Sequence, residues 1–330
     1  MKRNHRLITS IVASIACLIS ANAALAQAGK PATKMIIRLD WKPGAQHAPF
    51  YLARDKGYYA SEGIDLHIIP GSGSSDSVKQ VGTRAVDVAI VDALVLVQAA
   101  EQRVPVQSVA VYYQRSAITV ISPKAKPVTS VKQLTGDVKI GSAKGSATYQ
   151  GLIALLAVND IRLEQVKVVD IGFGVQPLLV KQVDALMGFT NIQPVELETA
   201  GMPVHELQIA DHGVNAYGLT IVSNNDFIAK QPAVLTSFLR ATKKAAQEVA
   251  GSKQVAVNAV TKAAPEINAA RELRVLERTV PLWGAKGAGL ADFGAQSEQG
   301  WRQTIDTAKQ LGLVEKVLAP ESLYNASLLR

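Results

Sequence analysis

Side chains able to stack on and hydrogen-bond to a small molecule crowd one short stretch of this sequence. Five of the chain's seventeen aromatics fall between Trp41 and Tyr59, around Asp40-Trp41-Lys42-Pro43 and His47-Ala48-Pro49-Phe50-Tyr51. A tryptophan face can stack on a flat ring, and such pairs contribute roughly 0.5–1.5 kcal/mol beyond the area they bury. Trp41 is therefore a candidate ligand wall, with core filling as the alternative. Tyr51 and His47 share its motif, and His47 can donate to a ring nitrogen or simply cap the next helix. Such density points to a pocket for a flat ligand.

Two Gly/Ser loops carry a different chemistry. Gly71-Ser72-Gly73-Ser74-Ser75 and Gly145-Ser146-Ala147-Thr148 each follow a strand pattern and precede a helix pattern. Free backbone N–H groups and the positive helix end make such places seats for an anion or a polar acceptor. Ser72, Ser74, Ser146 and Thr148 are the candidate donors, and Ser74 or Ser146 capping its helix is the plainer role. Asp92 ends a strand, where it can accept from an exocyclic amine or cap the next helix. Asn191, beside Thr190 and Gln193, takes the corresponding place in the second half. Tyr112, Tyr113 and Tyr217 flank the two expected crossings, and one of them is expected to close over a bound ring.

These residues need elements to hold them. Apolar runs at Met35–Leu39, Asp65–Pro70, Val86–Val91 and Val104–Tyr113 alternate with helical segments, the pattern of a doubly wound parallel sheet. The rhythm restarts at Val138–Ile140, Val166–Asp170, Asp184–Thr190 and Val204–Ile209. Ala117–Ile121 and Tyr217–Ser223 read as two crossing strands, with crossings at Pro123–Pro127 and around Gly213–Asn215. The α/β chain thus divides into one lobe of 34–120 with 215–330 and a second of 121–214, with a ligand cleft between them. Hinged lobes that close over a ligand are a standard conformational device. Arg84-Ala85-Val86-Asp87 and Lys181-Gln182-Val183-Asp184 form an internal echo, one in each lobe.

The N-terminus reads as an export signal. Lys2, Arg3 and Arg6 precede an apolar run from Leu7 to Ile19, and Ala24-Leu25-Ala26 supplies a cleavage site before Gln27. A cleaved signal peptide of residues 1–26 implies a periplasmic address. Its removal takes three positive charges and no acids, so a net charge of +8 becomes +5. It also takes Cys17, the only cysteine, which rules out disulfides and thiolate chemistry in the remainder. No dense basic block is present, so nucleic acid is not an expected partner.

The opening motif has relatives. Asp-Trp-x-Pro-x-x-x-His-x-Pro-x-Tyr-x-Ala, followed by Lys56-Gly57-Tyr58-Tyr59 and Glu62-Gly63-Ile64-Asp65-Leu66, resembles the NMT1/THI5-like proteins. These are bacterial periplasmic binding proteins of ABC importers, with the yeast thiamine-pyrimidine synthase as an enzymatic cousin. The resemblance implies a periplasmic binding protein type II-like fold of two doubly wound lobes. It also implies a small-molecule ligand and a permease partner in the inner membrane, with the chain acting as a monomer. A thiamine-pyrimidine precursor is the implied ligand; an alkyl- or arylsulfonate, taurine or nitrate is the alternative within the binding class.

A pyrimidine-metabolism enzyme is the rival from another class. Catalytic constellations are scarce: the histidines at 5, 47, 67, 205 and 212 lack metal-ligand spacing, and no H-E-x-x-H or phosphate-loop motif occurs. The synthase's lysine and histidine, four apart, are replaced here by Val91 and Val95, and nothing near Tyr217 resembles its cysteine-rich iron motif. No cofactor and no enzymatic activity are expected.

Overall fold

The computed structural model describes residues 31–172, 174–284, 289–316 and 318–329. The expected signal peptide, with Cys17, lies outside the described residues.

Strand β1 (Thr33–Arg38) buries Met35 and Ile37 and ends at Asp40-Trp41. Pro43 and Gly44 then break the backbone before a short 3-10 turn at Ala45–His47 and helix α1 (Ala48–Asp55). Pro49 sits in the first turn of α1, where its missing N–H removes no helical bond. Gly57, at φ 70, makes the left-handed step that separates α1 from α2 (Tyr58–Ser61). There follow β2 (Ile64–Ile69), α3 (Ser74–Gly82), β3 (Val88–Asp92), α4 (Ala93–Glu101) and β4 (Val106–Val111).

The chain then changes sheets. It continues through β5 (Ile118–Pro123), β6 (Lys139–Ser142), α5 (Ala147–Ala157), β7 (Lys167–Asp170) and α6 (Gln176–Leu179). Next come β8 (Ala185–Phe189), α7 (Gln193–Thr199) and β9 (Val204–Gln208), and then it returns as β10 (Leu219–Asn224). Helices α8 (Asn225–Lys230), α9 (Pro232–Gly251), α10 (Lys253–Ala263), α11 (Ala269–Thr279) and α12 (Glu298–Gln310) complete it.

Two five-stranded sheets result, ordered β2-β1-β3-β10-β4 and β7-β6-β8-β5-β9. They match place for place. Each holds one strand that arrived from the other, and that strand alone runs antiparallel to its neighbours. The sheets are therefore mixed, where the sequence pattern predicted parallel ones. The reason is topological: β4 and β9 both finish at the carboxyl end of their sheets and cross there. The incoming strand starts at that end and must run backwards. The first crossing is made over residues 112–117, ahead of β5 and earlier than the Pro123–Pro127 expected. The second runs over 209–218, around the expected Gly213–Asn215.

The aromatics of the opening stretch go mostly into the first sheet's core. Phe50 stacks on Tyr112 and on Phe238 at 5.5 and 6.3 Å, Tyr59 on Phe238 at 5.5 Å, and Tyr112 on Tyr113 at 5.2 Å. The density read as a pocket wall is largely a packing block, because α1 turns its apolar face inward onto α9 and α10.

Candidate functional site

A cavity of about 230 Å³ opens between the carboxyl ends of the two sheets. That is where the loops of an open α/β sheet ordinarily hold ligands. From the first sheet come Asp40, Trp41 and Lys42, which leave β1, and Gly73 and Ser74, which lead into α3. From the second come Ser146, Ala147 and Thr148 at the start of α5, and Met187, Phe189, Ile192, Gln193 and Glu196 from β8 and α7. Ile171, Gly172 and Gly174, after β7, close the remaining side.

The first-sheet wall is clamped by its own backbone. Gly71 N–H donates to the Trp41 carbonyl at 3.0 Å and Gly73 N–H to the Asp40 carbonyl at 2.9 Å. A Cβ on Gly71 would stand 1.8 Å from the Leu39 carbonyl oxygen, so only glycine allows this approach. Gly73, at φ 118, caps α3 without a side chain. The first N–H groups of a helix have no intrahelical partner, and Gly73 and Ser74 at the start of α3 line the cavity. Ser74 Oγ accepts from the Asp92 N–H at 3.0 Å, which leaves its proton to donate to a ligand.

Asp40 is held from behind. His47, fully buried, lies with Nε2 2.8 Å from Asp40 Oδ1. Its buried Nδ1 has no hydrogen-bond partner. Among the described residues no side chain hydrogen-bonds that nitrogen, and the contact through Nε2 fixes the imidazole ring against the Asp40 carboxylate and orients it.

The second-sheet wall is more apolar and its helix is already capped. Ser146 Oγ accepts from the Tyr149 N–H at 3.1 Å and donates to the Ala143 carbonyl at 2.6 Å. Thr148 Oγ1 lies 2.8 Å from the same hydroxyl. Glu196 is the acidic group of this wall. Burial raises its carboxyl pKa, the Arg271 guanidinium 3.9 Å away opposes that, and Glu272 adds to it.

Of the residues singled out from sequence, Trp41, Ser74, Ser146, Thr148 and Gln193 line this cavity. The others are placed elsewhere. Tyr51 is buried in the first core with Arg54 over its ring at 5.3 Å, and burial pushes its phenol up to about 12. Ser72 is exposed and donates to Asp76 at 2.8 Å. Asp92 is buried as the cap of α4, accepting from the Leu94 N–H at 3.0 Å; burial, with the nearby charge of Asp40, pushes its carboxyl up to about 7. Tyr113 is buried and its hydroxyl accepts from Asn191 Nδ2 at 3.2 Å. That same amide donates to Thr279 at 2.8 Å, so Asn191 ties a second-sheet loop to α11. Tyr217 packs edge-on against Trp301 and lines a separate hollow between the two crossings.

Glu196, Phe189, Met187 and Lys42 were not singled out. Their one sequence signal is position: Lys42 and Glu196 follow strands, and Met187 and Phe189 lie on β8 itself. Glu196 lies one turn beyond Gln193.

Comparison with known proteins agrees with this geometry. A family model described as NMT1/THI5 like matches residues 44–256. The riboflavin-binding protein RibY of Chloroflexus aurantiacus is 25% identical over 289 residues, spanning 85% of this chain and 82% of that protein. The formylaminopyrimidine-binding protein of Halalkalibacterium halodurans is 24% identical over 323 residues, spanning 97% and 98%. Among solved structures, the periplasmic aliphatic sulphonate binding protein SsuA from Escherichia coli superposes with a TM-score of 0.72. At 13% identity it covers 92% of this chain and 94% of that one, which shows the same periplasmic binding protein fold.

Proposed function

Because the chain belongs to the NMT1/THI5-like family, we propose that it is a periplasmic solute-binding protein. It captures a small, flat, polar heterocycle and delivers it to an ABC importer permease. The two sheets are the cores of two lobes, divided in the crossings at 112–117 and 209–218, and the solute sits between them.

The observation that carries this reading is the make-up of the cavity. Trp41 offers a stacking face on one side, and Phe189 and Met187 an apolar surface on the other. Asp40 and Glu196 bring two carboxylates against the single amine of Lys42. A site with that balance favours a ring bearing amine or ring N–H donors over an anion. Its volume of about 230 Å³ is small beside ordinary ligand pockets of roughly 300–1,000 Å³. That size favours a single ring, such as a thiamine-pyrimidine precursor, over a tricyclic flavin.

One feature favours a sulfonate or nitrate instead: the uncapped start of α3, with the Ser74 hydroxyl beside it. The two carboxylates oppose that alternative. The enzymatic alternative meets Val91 and Val95, both buried and inert, where the synthase has its lysine and histidine.

Native mass spectrometry of protein purified without refolding tests the proposal. A one-to-one complex with a hydroxymethyl- or formylamino-pyrimidine, released chemically unchanged, is the expected result. Retention of a sulfonate in its place would select the anion reading, and a converted pyrimidine would make the protein an enzyme.

A further inference from the structure

Arginines recur along α11 at 271, 274 and 278, a spacing that sets them along one side of the helix. Each meets a glutamate carried by elements of the second sheet. Arg271 Nη1 lies 3.9 Å from Glu196 Oε1 on α7, while its Nε and Nη2 donate to Glu272 Oε1 of its own helix at 3.1 and 2.8 Å. Arg274 pairs with Glu198 of the same helix and donates to Thr199 Oγ1 at 3.2 Å. Arg278 pairs with Glu206 of β9, whose other oxygen accepts from Thr190.

The helix bearing these arginines belongs to the first sheet's body. Val275 and Leu276 lie in that core, and Glu272 Oε2 accepts from the Ala45 N–H at 2.6 Å. Val195, on α7 between Glu196 and Pro194, is fully buried and packs into the same core. The contact of α7 and the loop before it with α11 thus combines an apolar plug, the buried Asn191–Thr279 hydrogen bond and a row of ion pairs.

We propose that the arginine row of α11 is an ionic strap that holds the α7 side of the cavity against the first-sheet body. Through Glu196, which faces both Arg271 and the cavity, the strap couples closure to what the cavity holds. A solute N–H that reaches Glu196 engages the same carboxylate that Arg271 attracts. The strap rests on the two-lobe reading above, but its test needs no solute. Partly exposed ion pairs weaken as salt rises, because the Debye length falls from roughly 30 Å at 0.01 M to 3 Å at 1 M. An apolar plug such as Val195 does not share that sensitivity.

Arg274–Glu198 is the pair to test, since neither residue lines the cavity. Val180 and Val255 are exposed, on the second-sheet and first-sheet sides respectively. Val180→Cys and Val255→Cys in the full chain, with Cys17→Ser, carry spin labels that report the distance between lobes without solute. Salt is expected to shift the wild-type population toward longer distances. Arg274→Glu at low salt is expected to raise the open-to-closed ratio by about threefold, the scale of one partly exposed ion pair. The charge swap Arg274→Glu with Glu198→Arg is expected to restore the wild-type distribution. Should the single reversal fail to fold, Glu198→Gln carries the same comparison. A single variant with wild-type distances, or a swap as open as the single reversal, would overturn the strap. Solute affinity, measured separately, registers any failure of the solute reading as a different result.

Discussion

The turns at 84–87 and 181–184 do the same job in the two sheets under opposite conditions. Arg84 and Lys181 both take left-handed conformations, at φ 64 and 57. Asp87 N–H then donates to the Ile36 carbonyl at 3.1 Å, and its carboxylate accepts from the Ile36 N–H at 2.8 Å. Asp184 repeats both bonds on Lys139, at 2.9 and 3.0 Å. Burial raises the Asp87 carboxyl pKa above its ordinary value, with Ile36 and Arg84 opposing. The Lys139 N–H, helped by Lys126, holds the Asp184 carboxyl below it. The backbone plan was used twice, while the chemistry at each copy is set by what surrounds it.

The cavity shows the same division between plan and surroundings. The loops after β2 and after β7 hold equivalent places, but only the first is pressed against its neighbour. Gly71→Ala would drive a methyl into the Leu39 carbonyl and push aside the loop that carries Trp41, a loss on the order of 3 kcal/mol in stability. Gly172→Ala meets nothing within 4 Å among the described residues and is expected to stay within about 0.5 kcal/mol of wild type. Thermal or urea unfolding of the two variants measures the contrast. Equal losses would mean that the two loops are buttressed alike.

A smaller effect separates the two aspartates. Asp184 has a folded pKa below its ordinary 3.8, so it contributes stability above that pH and loses it as the pH falls through the folded value. Asp87 is the reverse: its folded pKa is higher, so the folded chain keeps a proton that the unfolded chain has released. Stability then falls as the pH rises from about 3.8 through that folded value. Asp184→Asn should flatten stability at the acid end, and Asp87→Asn should remove a decline just above it. Unfolding midpoints followed from acid to neutral pH decide the point, and shifts of the same sign would break the comparison.

Much of the fold was legible because period and punctuation are local. Apolar runs between Gly, Pro and Ser clusters marked the strands, and the Val-Asp echo marked a repeat that the structure bears out. The antiparallel direction of β5 and β10 was not legible, since it depends on where the chain crosses and not on any residue in those strands. At the site, Trp41, Ser74, Ser146 and Thr148 were reachable because each sits where a strand gives way to a helix, within three residues of a glycine or proline. Phe50, Tyr51 and Tyr59 share the motif but face inward, and spacing alone does not tell the outer face of α1 from the inner. Glu196 carries no motif. Its place in the cavity comes from α7 folding back toward α11, a long-range contact.

The central claim is that Trp41 forms one face of a site for a flat ring, and isothermal titration of wild type and Trp41→Ala against a pyrimidine panel and a sulfonate panel tests it most directly. Trp41 is half-buried at the cavity, so its truncation should weaken pyrimidine binding by roughly 2–4 kcal/mol. Sulfonates are expected to bind weakly to both proteins. Pyrimidine affinity unchanged in Trp41→Ala, or tight sulfonate binding that depends on Ser74 and not on Trp41, would contradict the account.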